Sequence, residues 1–136
     1  MTISNHFDSE FFGGRAALVP LLRYTDERGI LLPLDFSKLP FEPRRSFVIN
    51  GETAGTVRGE HSHLTTQQVL ICVEGIIEVQ MRLEDEEITL QLRPHSDGLL
   101  IGPGIWSRQT YLEHGSILLA FASEPYDPDS YREARD

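Results

Sequence analysis

The sequence is poor in cysteine and lysine, and it has no long apolar run. Cys72 is the sole cysteine, which excludes a disulfide within the chain, and its place in the apolar run 69–73 predicts a buried thiol. Lys38 is the sole lysine, so nearly every positive charge is an arginine, the side chain that favours bidentate phosphate or carboxylate contacts. The apolar runs are too short to cross a bilayer, and we expect no membrane association.

Positive charge is also scarce overall, because the chain carries a net charge of -9. A binder of nucleic-acid polymers needs a basic face, so we expect no nucleic-acid partner, although a few local arginines would suffice for a small nucleotide. The first residues lack the basic stretch and apolar core of a signal peptide, which predicts a cytoplasmic protein. The 136 residues suffice for one domain, expected at 15–136 after an N-terminal extension at 1–14.

Short apolar runs separated by turn residues predict an all-β fold, a sandwich or a barrel. The runs lie at 16–23, 29–34, 45–49, 68–73, 76–83, 88–92, 99–101 and 116–122. Helical periodicity is weak until the C-terminus. There Asp127 followed by Pro128 is typical of a helix N-terminus, and it predicts a short helix through Arg135.

Two of these runs, 69–73 and 117–122, are apolar at both alternating positions. A strand of this kind has both of its faces covered. For so small a chain the simplest cover is a second copy, so the pattern predicts a homodimer.

The most informative segment is Arg-Gly-Glu-His-Ser-His at 58–63. In an extended strand, residues two apart project from the same face, so His61 and His63 are expected side by side. Two imidazoles aimed into one cavity form either part of a metal site or a proton-transfer pair. The spacing alone leaves both open.

A longer pattern resembles the first cupin motif. It comprises Gly55, His61, His63, Gln68 and Gly75. In that motif the position of Gln68 is usually a glutamate ligand, and the second cupin motif, around Pro103, usually supplies a histidine where this chain has Arg108. Gln is a weak neutral donor and Arg is a permanent cation, so the resemblance implies a cupin fold without a metal.

Several blocks together resemble the sugar-nucleotide 3,4-ketoisomerases, a cupin family. They are Asp-Glu-Arg-Gly at 26–29, the 58–63 segment, Gln-Val-Leu-Ile-Cys at 68–72, Gly75, Gly-Pro-Gly-Ile-Trp at 102–106 and Ala-Ser-Glu-Pro-Tyr-Asp at 122–127. The resemblance implies an all-β cupin jelly-roll barrel, with the short C-terminal helix added. It also implies a metal-independent isomerase in deoxysugar biosynthesis, which needs no cofactor and converts a dTDP-4-keto-6-deoxyhexose to its 3-keto isomer through an enediol.

The same resemblance implies roles for individual residues. By analogy, His63 is the base at carbon 3 and His61 moves a proton between the two oxygens, although the sequence does not order them. The residues expected to bind substrate are Arg28, Arg58, Gln68, Trp106 and Arg108. Tyr111, Tyr126 and Tyr131 are possible acids in chemical terms, but no spacing selects one of them.

Three other functions compete with the isomerase. A cupin 3,5-epimerase of the same pathways pairs one histidine with a tyrosine acid, so the adjacent His61 and His63 count against it. A non-catalytic sugar-nucleotide-binding cupin would keep the pocket alone. A metal-dependent cupin such as a dioxygenase would need ligands that Gln68 and Arg108 do not provide.

Overall fold

The computed structural model describes residues 9–132, which form β-strands joined by turns and short 3-10 segments. The strands are β1 Glu10–Phe11, β2 Ala16–Val19, β3 Tyr24–Asp26, β4 Gly29–Leu31, β5 Arg45–Gly51, β6 Thr56–His63, β7 Gln68–Glu74, β8 Ile77–Leu83, β9 Glu86–Leu92, β10 Gly98–Ile101, β11 Trp106–Tyr111, β12 Ser116–Ala122 and β13 Tyr131–Arg132. Within this range no helix is long and apolar enough to cross a membrane. The all-β prediction is confirmed.

Two antiparallel sheets face each other. The larger sheet has the order β1-β2-β10-β7-β12-β5, the smaller one has the order β13-β6-β11-β8-β9, and β3 and β4 form a separate hairpin. The main core lies between the sheets, with Leu70 and Leu118 from the larger meeting Val79, Met81 and Tyr111 from the smaller. Alternation along β8 buries every second residue, as expected for a strand with one covered face.

Strands β6 and β11 carry no apolar run, and the pattern of runs does not predict them as strands. They pair with each other in the middle of the smaller sheet. Several of their inward positions hold polar side chains, among them His61 and Gln109, because that part of the two strands lines a pocket. Tyr111, at the end of β11, packs in the main core instead. The two strands that the apolar pattern fails to predict therefore contribute Arg58, His61 and Gln109 to the pocket.

The doubly apolar strands β7 and β12 are covered on their outer face by the chain itself. Val69, Ile71 and Phe121 form a second cluster, beneath apolar side chains that the segment 19–41 contributes. A second copy is therefore not needed to bury these three residues, and this part of the reasoning for a homodimer was wrong. Cys72 faces the main core and is buried, as predicted.

The predicted C-terminal helix is wrong. Asp127 does cap a turn, accepting a hydrogen bond from the Asp129 backbone N–H, but the turn is a 3-10 segment, Pro128–Ser130. The chain then extends as β13 and pairs with β6, so that strand pairing replaces helix propagation. The rest of the predicted helix, 133–135, lies outside the described residues.

The predicted N-terminal extension also falls partly outside the described range. Of its residues 1–14, those from 9 onward are described. Glu10–Phe11 pairs with β2, and Phe12 is buried in the main core.

Candidate active site

A pocket of about 270 Å³ opens between the two sheets. Its polar lining consists of Arg45, Arg58, His61, Gln68, Gln109 and Tyr131. A larger cavity of about 630 Å³ lies elsewhere, beside the β3–β4 hairpin, and its lining is mainly leucine and proline. We place the candidate site in the smaller pocket, because its lining brings the His61 imidazole together with two guanidinium groups, two carboxamides and a phenol.

A β-bulge in β6 shapes this pocket. Arg58 lies opposite Gln109 and His61 lies opposite Ser107, so β6 uses one residue more than β11 between these pairs. Gly59 and Glu60 adopt positive φ angles of 90° and 67° at this point. In a regular strand Arg58 and His61, three residues apart, would face opposite sides, and the extra residue brings both to the pocket.

The two histidines lie side by side, as predicted. Their ring centroids are 5.0 Å apart and the ring planes are nearly perpendicular. His63 is only 9% exposed, and within residues 9–132 neither of its ring nitrogens has a hydrogen-bond partner. Burial, followed by the nearby charges of His61 and Arg45, lowers the pKa of His63 to about 4. His63 is therefore a neutral imidazole at pH 7 and can accept a proton.

The pocket does not fit the metal that cupin sites usually hold. The pocket lining holds the His61 imidazole, the carboxamides of Gln68 and Gln109, and two arginine cations. Nowhere in residues 9–132 do three or more His, Cys, Asp or Glu side chains group so that they could hold a metal ion. Neutral amides are weak ligands, and neighbouring cations oppose a divalent ion.

Three predicted substrate-binding residues do not reach this pocket within the chain. Arg28 sits at the tip of the β3–β4 hairpin with an 85% exposed side chain, in an ion pair of 2.6 Å with Asp26. Trp106 and Arg108 lie on the other face of the smaller sheet from Gln109, where Arg108 donates a hydrogen bond to Gln80 at 2.6 Å. Of the predicted set, Arg58, His61 and Gln68 line the pocket. His63 lies beside it, with its ring against those of His61 and Tyr131.

Gln109 is the pocket residue that motif counting missed on β11. The count selects Arg108, but the ladder with β8 pairs Gln109 with the buried Val79, and Arg108 with Gln80. A shift of one residue along a strand moves a side chain to the opposite face. In the structure, burial alternates along β11 and shows that Gln109 faces inward. The sequence does not show this alternation, because β11 has no apolar run from which the inward positions could be read.

Arg45 and Tyr131 were also missed as pocket residues. Arg45 begins β5, and Tyr131 belongs to β13, which was predicted as helix. The Tyr131 ring centroid lies 4.6 Å from that of His61 and 4.4 Å from that of His63. No local sequence signal finds these residues, because their place depends on pairing with strands far away in the chain.

The Ala-Ser-Glu-Pro-Tyr-Asp block at 122–127 is hydrogen-bonded to the loop that follows the histidine strand. The Glu124 carboxylate accepts hydrogen bonds from the hydroxyls of Thr65 and Thr66, each at 2.8 Å. These bonds hold the pKa of Glu124 below its usual range, so the carboxylate is ionised at neutral pH. The loop that follows His63 is thus tied to the end of β12.

Comparison with known proteins decides the family. The family model described as "FdtA: WxcM-like, C-terminal" matches residues 15–136. The TDP-4-oxo-6-deoxy-alpha-D-glucose-3,4-oxoisomerase of Aneurinibacillus thermoaerophilus is 30% identical over 109 residues, which cover 78% of this chain and 77% of that protein. This chain belongs to the FdtA, WxcM-like family of sugar 3,4-ketoisomerases. The predicted family and the predicted enzyme class, an isomerase, are confirmed.

Solved structures agree with the family in fold. The sugar 3,4-ketoisomerase QdtA of Thermoanaerobacterium thermosaccharolyticum, in complex with TDP, is 34% identical with a TM-score of 0.84, covering 90% of each chain. A dTDP-4-dehydrorhamnose 3,5-epimerase from Bacillus anthracis has a TM-score of 0.79 over 90% of this chain and 79% of its own, at 18% identity. The likeness to the epimerase concerns the fold alone, so the cupin-like barrel is common to both enzymes while the family match favours the isomerase.

Proposed function

We propose that this chain converts a dTDP-4-keto-6-deoxyhexose to its 3-keto isomer through an enediol, in deoxysugar biosynthesis. The observation that carries the proposal is a buried, neutral His63 whose ring nitrogens lack a partner among residues 9–132, beside the second imidazole of His61. Relatives named as 3,4-ketoisomerases act on TDP-linked sugars, and one was solved with TDP bound.

The proposed chemistry begins at carbon 3, whose proton is acidified by the ketone at carbon 4. His63 takes that proton, and the electron pair of the broken C–H bond forms a carbon–carbon double bond while the ketone becomes an enolate oxygen. His61 moves the hydroxyl proton of carbon 3 to this oxygen, and a proton then returns to carbon 4. A positioned acid or base of this kind contributes about 10²–10⁴ in rate, or roughly 3–5 kcal/mol of barrier.

Substrate binding is assigned to the charged and polar lining. Arg58 lies on the pocket face with His61 and is proposed to hold the diphosphate or the enolate charge, and Gln68 is proposed to hydrogen-bond a sugar hydroxyl. The arginines at the pocket supply local positive charge in a chain whose net charge is -9, which favours a small nucleotide over a nucleic-acid polymer. Roles for Arg28, Trp106 and Arg108 stay predictions.

Incubation with dTDP-4-keto-6-deoxyglucose in deuterated water, followed by NMR, tests this function. We expect the 3-keto sugar to appear with deuterium at carbon 4. Deuterium at carbons 3 and 5 without migration of the ketone would instead indicate an epimerase, and binding without exchange would indicate a binding module. His63→Asn should abolish exchange at carbon 3 but retain dTDP binding. His95→Asn, the same change at an exposed histidine, is the matched control.

Reaction without a metal or redox cofactor is part of the proposal, since Gln68 and Gln109 stand where acidic or imidazole ligands would be needed. Protein treated with a chelator and shown by elemental analysis to be metal-free should react at the untreated rate. Loss of activity that is restored by adding one metal would overturn this part.

The assembly and location are proposals as well. We propose a single domain over residues 15–136 and a homodimer. Val48 and Val73, 64% and 45% exposed, support the homodimer because both lie on the outer face of the larger sheet. Val73 follows the buried Ile71 on β7, and Val48 lies opposite Leu119, which is the partner of Ile71. A cytoplasmic location stays a prediction.

A further inference from the structure

Tyr131 is held in the pocket by strand pairing. In the ladder between β13 and β6, Tyr131 lies directly opposite His63. Side chains of directly opposed residues in antiparallel strands project from the same face, so the phenol ring enters the pocket beside both imidazoles. The three ring centroids form a triangle with sides of 4.4, 4.6 and 5.0 Å.

The Tyr131 hydroxyl has a defined donor. The Arg45 guanidinium donates a hydrogen bond to its oxygen at 3.2 Å. Arg45 is itself held between aromatic rings, with its guanidinium carbon 4.8 Å from the Phe47 ring centroid and 5.3 Å from that of Tyr126. Two π faces and a hydrogen bond therefore set the position of this cation.

This arrangement leaves the Tyr131 O–H as a donor. A phenol has one proton to donate and lone pairs to accept, whereas a guanidinium can only donate. Arg45 thus occupies an acceptor site of the hydroxyl and cannot receive its proton. Among residues 9–132 no acceptor is bonded to this O–H. The hydroxyl is available to an oxygen of a molecule bound in the pocket.

We propose that Tyr131 is a further catalytic residue, whose hydroxyl donates a hydrogen bond to the enolate oxygen of the bound sugar, and that Arg45 positions it. This inference rests on the proposed isomerase function. When the carbon 3 proton passes to His63, the charge that develops on the carbon 4 oxygen strengthens the hydrogen bond from Tyr131. Arg45, bonded to the same hydroxyl, adds positive charge behind it. Tyr131 keeps its proton, so the proton balance between the histidines is unchanged.

Tyr131→Phe tests the hydroxyl and Tyr131→Ala tests the ring. We expect the Phe variant, which keeps the ring packed on both imidazoles, to lose about 10²–10³ in kcat with little change in KM, as for removal of one oxyanion donor. A ring that serves for packing alone predicts a normal Phe variant and a defective Ala variant, and this result would overturn the proposal. Tyr24→Phe, the same change at a tyrosine that is 56% exposed and lies outside this pocket, is the control.

A double-mutant cycle tests Arg45. If Arg45 acts through the Tyr131 hydroxyl, Arg45→Met lowers kcat in the wild type and has little further effect in the Tyr131→Phe background. If the fold-losses in kcat of the two single variants multiply in the double variant, the two residues act independently and the positioning role is refuted.

Binding measurements separate this inference from the proposed function. A wild type that binds dTDP-4-keto-6-deoxyglucose without isomerising it would refute the function, and the contact of Tyr131 would then be judged by calorimetry. Weaker binding of the keto sugar by Tyr131→Phe, with unchanged binding of dTDP, would support a contact between the hydroxyl and the sugar. For a wild type that does not isomerise, unchanged binding of both would overturn the contact. For a wild type that isomerises, the kcat of Tyr131→Phe decides, because a bond to the enolate leaves binding of the ketone nearly unchanged.

Discussion

At the scale of single residues, His63 combines burial with the lack of a hydrogen-bond partner in the described chain. A histidine that serves only the core usually donates or accepts a bond, because an unpaired polar atom costs free energy when it is buried. Tyr111 is a second case, with a buried hydroxyl that has no partner among residues 9–132 and a pKa raised by burial to about 12. The difference is that His63 lies beside a cavity with a second titratable ring.

The lowered pKa of His63 predicts a loss of stability in acid. Its folded pKa of about 4 lies below the ordinary histidine value of 6.5, so between these values the unfolded chain takes up a proton that the folded chain does not. The free energy of unfolding contributed by this group therefore falls as pH decreases from about 6.5 to about 4, by an amount on the order of 3 kcal/mol. Urea unfolding of the wild type and of His63→Asn across this range measures it.

Carboxylates titrate in both proteins, so the informative quantity is the difference in the free energy of unfolding between wild type and variant. As the pH falls, the wild type should lose stability relative to His63→Asn. A difference that stays constant from pH 7 to pH 4.5 would show that His63 is not desolvated.

At the scale of elements, the β6 bulge converts a local sequence into a pocket. Gly59 has a positive φ, and a Cβ added there would lie 3.0 Å from the Ser107 carbonyl oxygen and 3.3 Å from the Gln109 side-chain nitrogen. Glycine is thus required both by conformation and by close approach. Without the bulge, Arg58 and His61 would point to opposite sides of the sheet.

Gly59→Ala should therefore impair catalysis more than stability. We expect a cost of about 1–2 kcal/mol in the free energy of unfolding from the left-handed backbone conformation. Displacement of Arg58 relative to the histidines should lower kcat/KM by up to about 100-fold. Thermal unfolding and steady-state kinetics measure the two effects.

Gly55→Ala is the matched control for this change. Gly55 has nearly the same φ, 91°, but a Cβ there meets nothing within 4 Å. It should lose similar stability while keeping kcat/KM close to the wild-type value. Equal kinetic losses in the two variants would mean that the bulge does not position Arg58.

At the scale of the whole molecule, the larger sheet is covered on one side by the smaller sheet and on the other by the segment 19–41. This cover is incomplete, because Val48 and Val73 remain exposed on the outer face. Exposed apolar residues adjoining a buried cluster mark a surface suited to association. The proposed second copy would complete the cover there rather than supply all of it.

Val48→Asp combined with Val73→Asp should shift the protein to a monomer, because burial of two carboxylates in an apolar interface is costly. Light scattering coupled to size-exclusion chromatography measures the mass. Val57→Asp, at a valine 44% exposed on the smaller sheet, controls for added charge. A wild type that is monomeric at all accessible concentrations would refute the homodimer.

Strand alternation, burial of Cys72 and the adjacency of His61 and His63 were predictable from the sequence, because each depends on residues that are neighbours along the chain. Three features were decided only by the tertiary structure. The bulge brings Arg58 to the pocket, pairing with β8 turns Gln109 inward and Arg108 outward, and pairing of β13 with β6 replaces a predicted helix and delivers Tyr131. The physical reason is that register and bulges are set by hydrogen bonds to strands distant in sequence, and a shift of one residue reverses the face of a side chain.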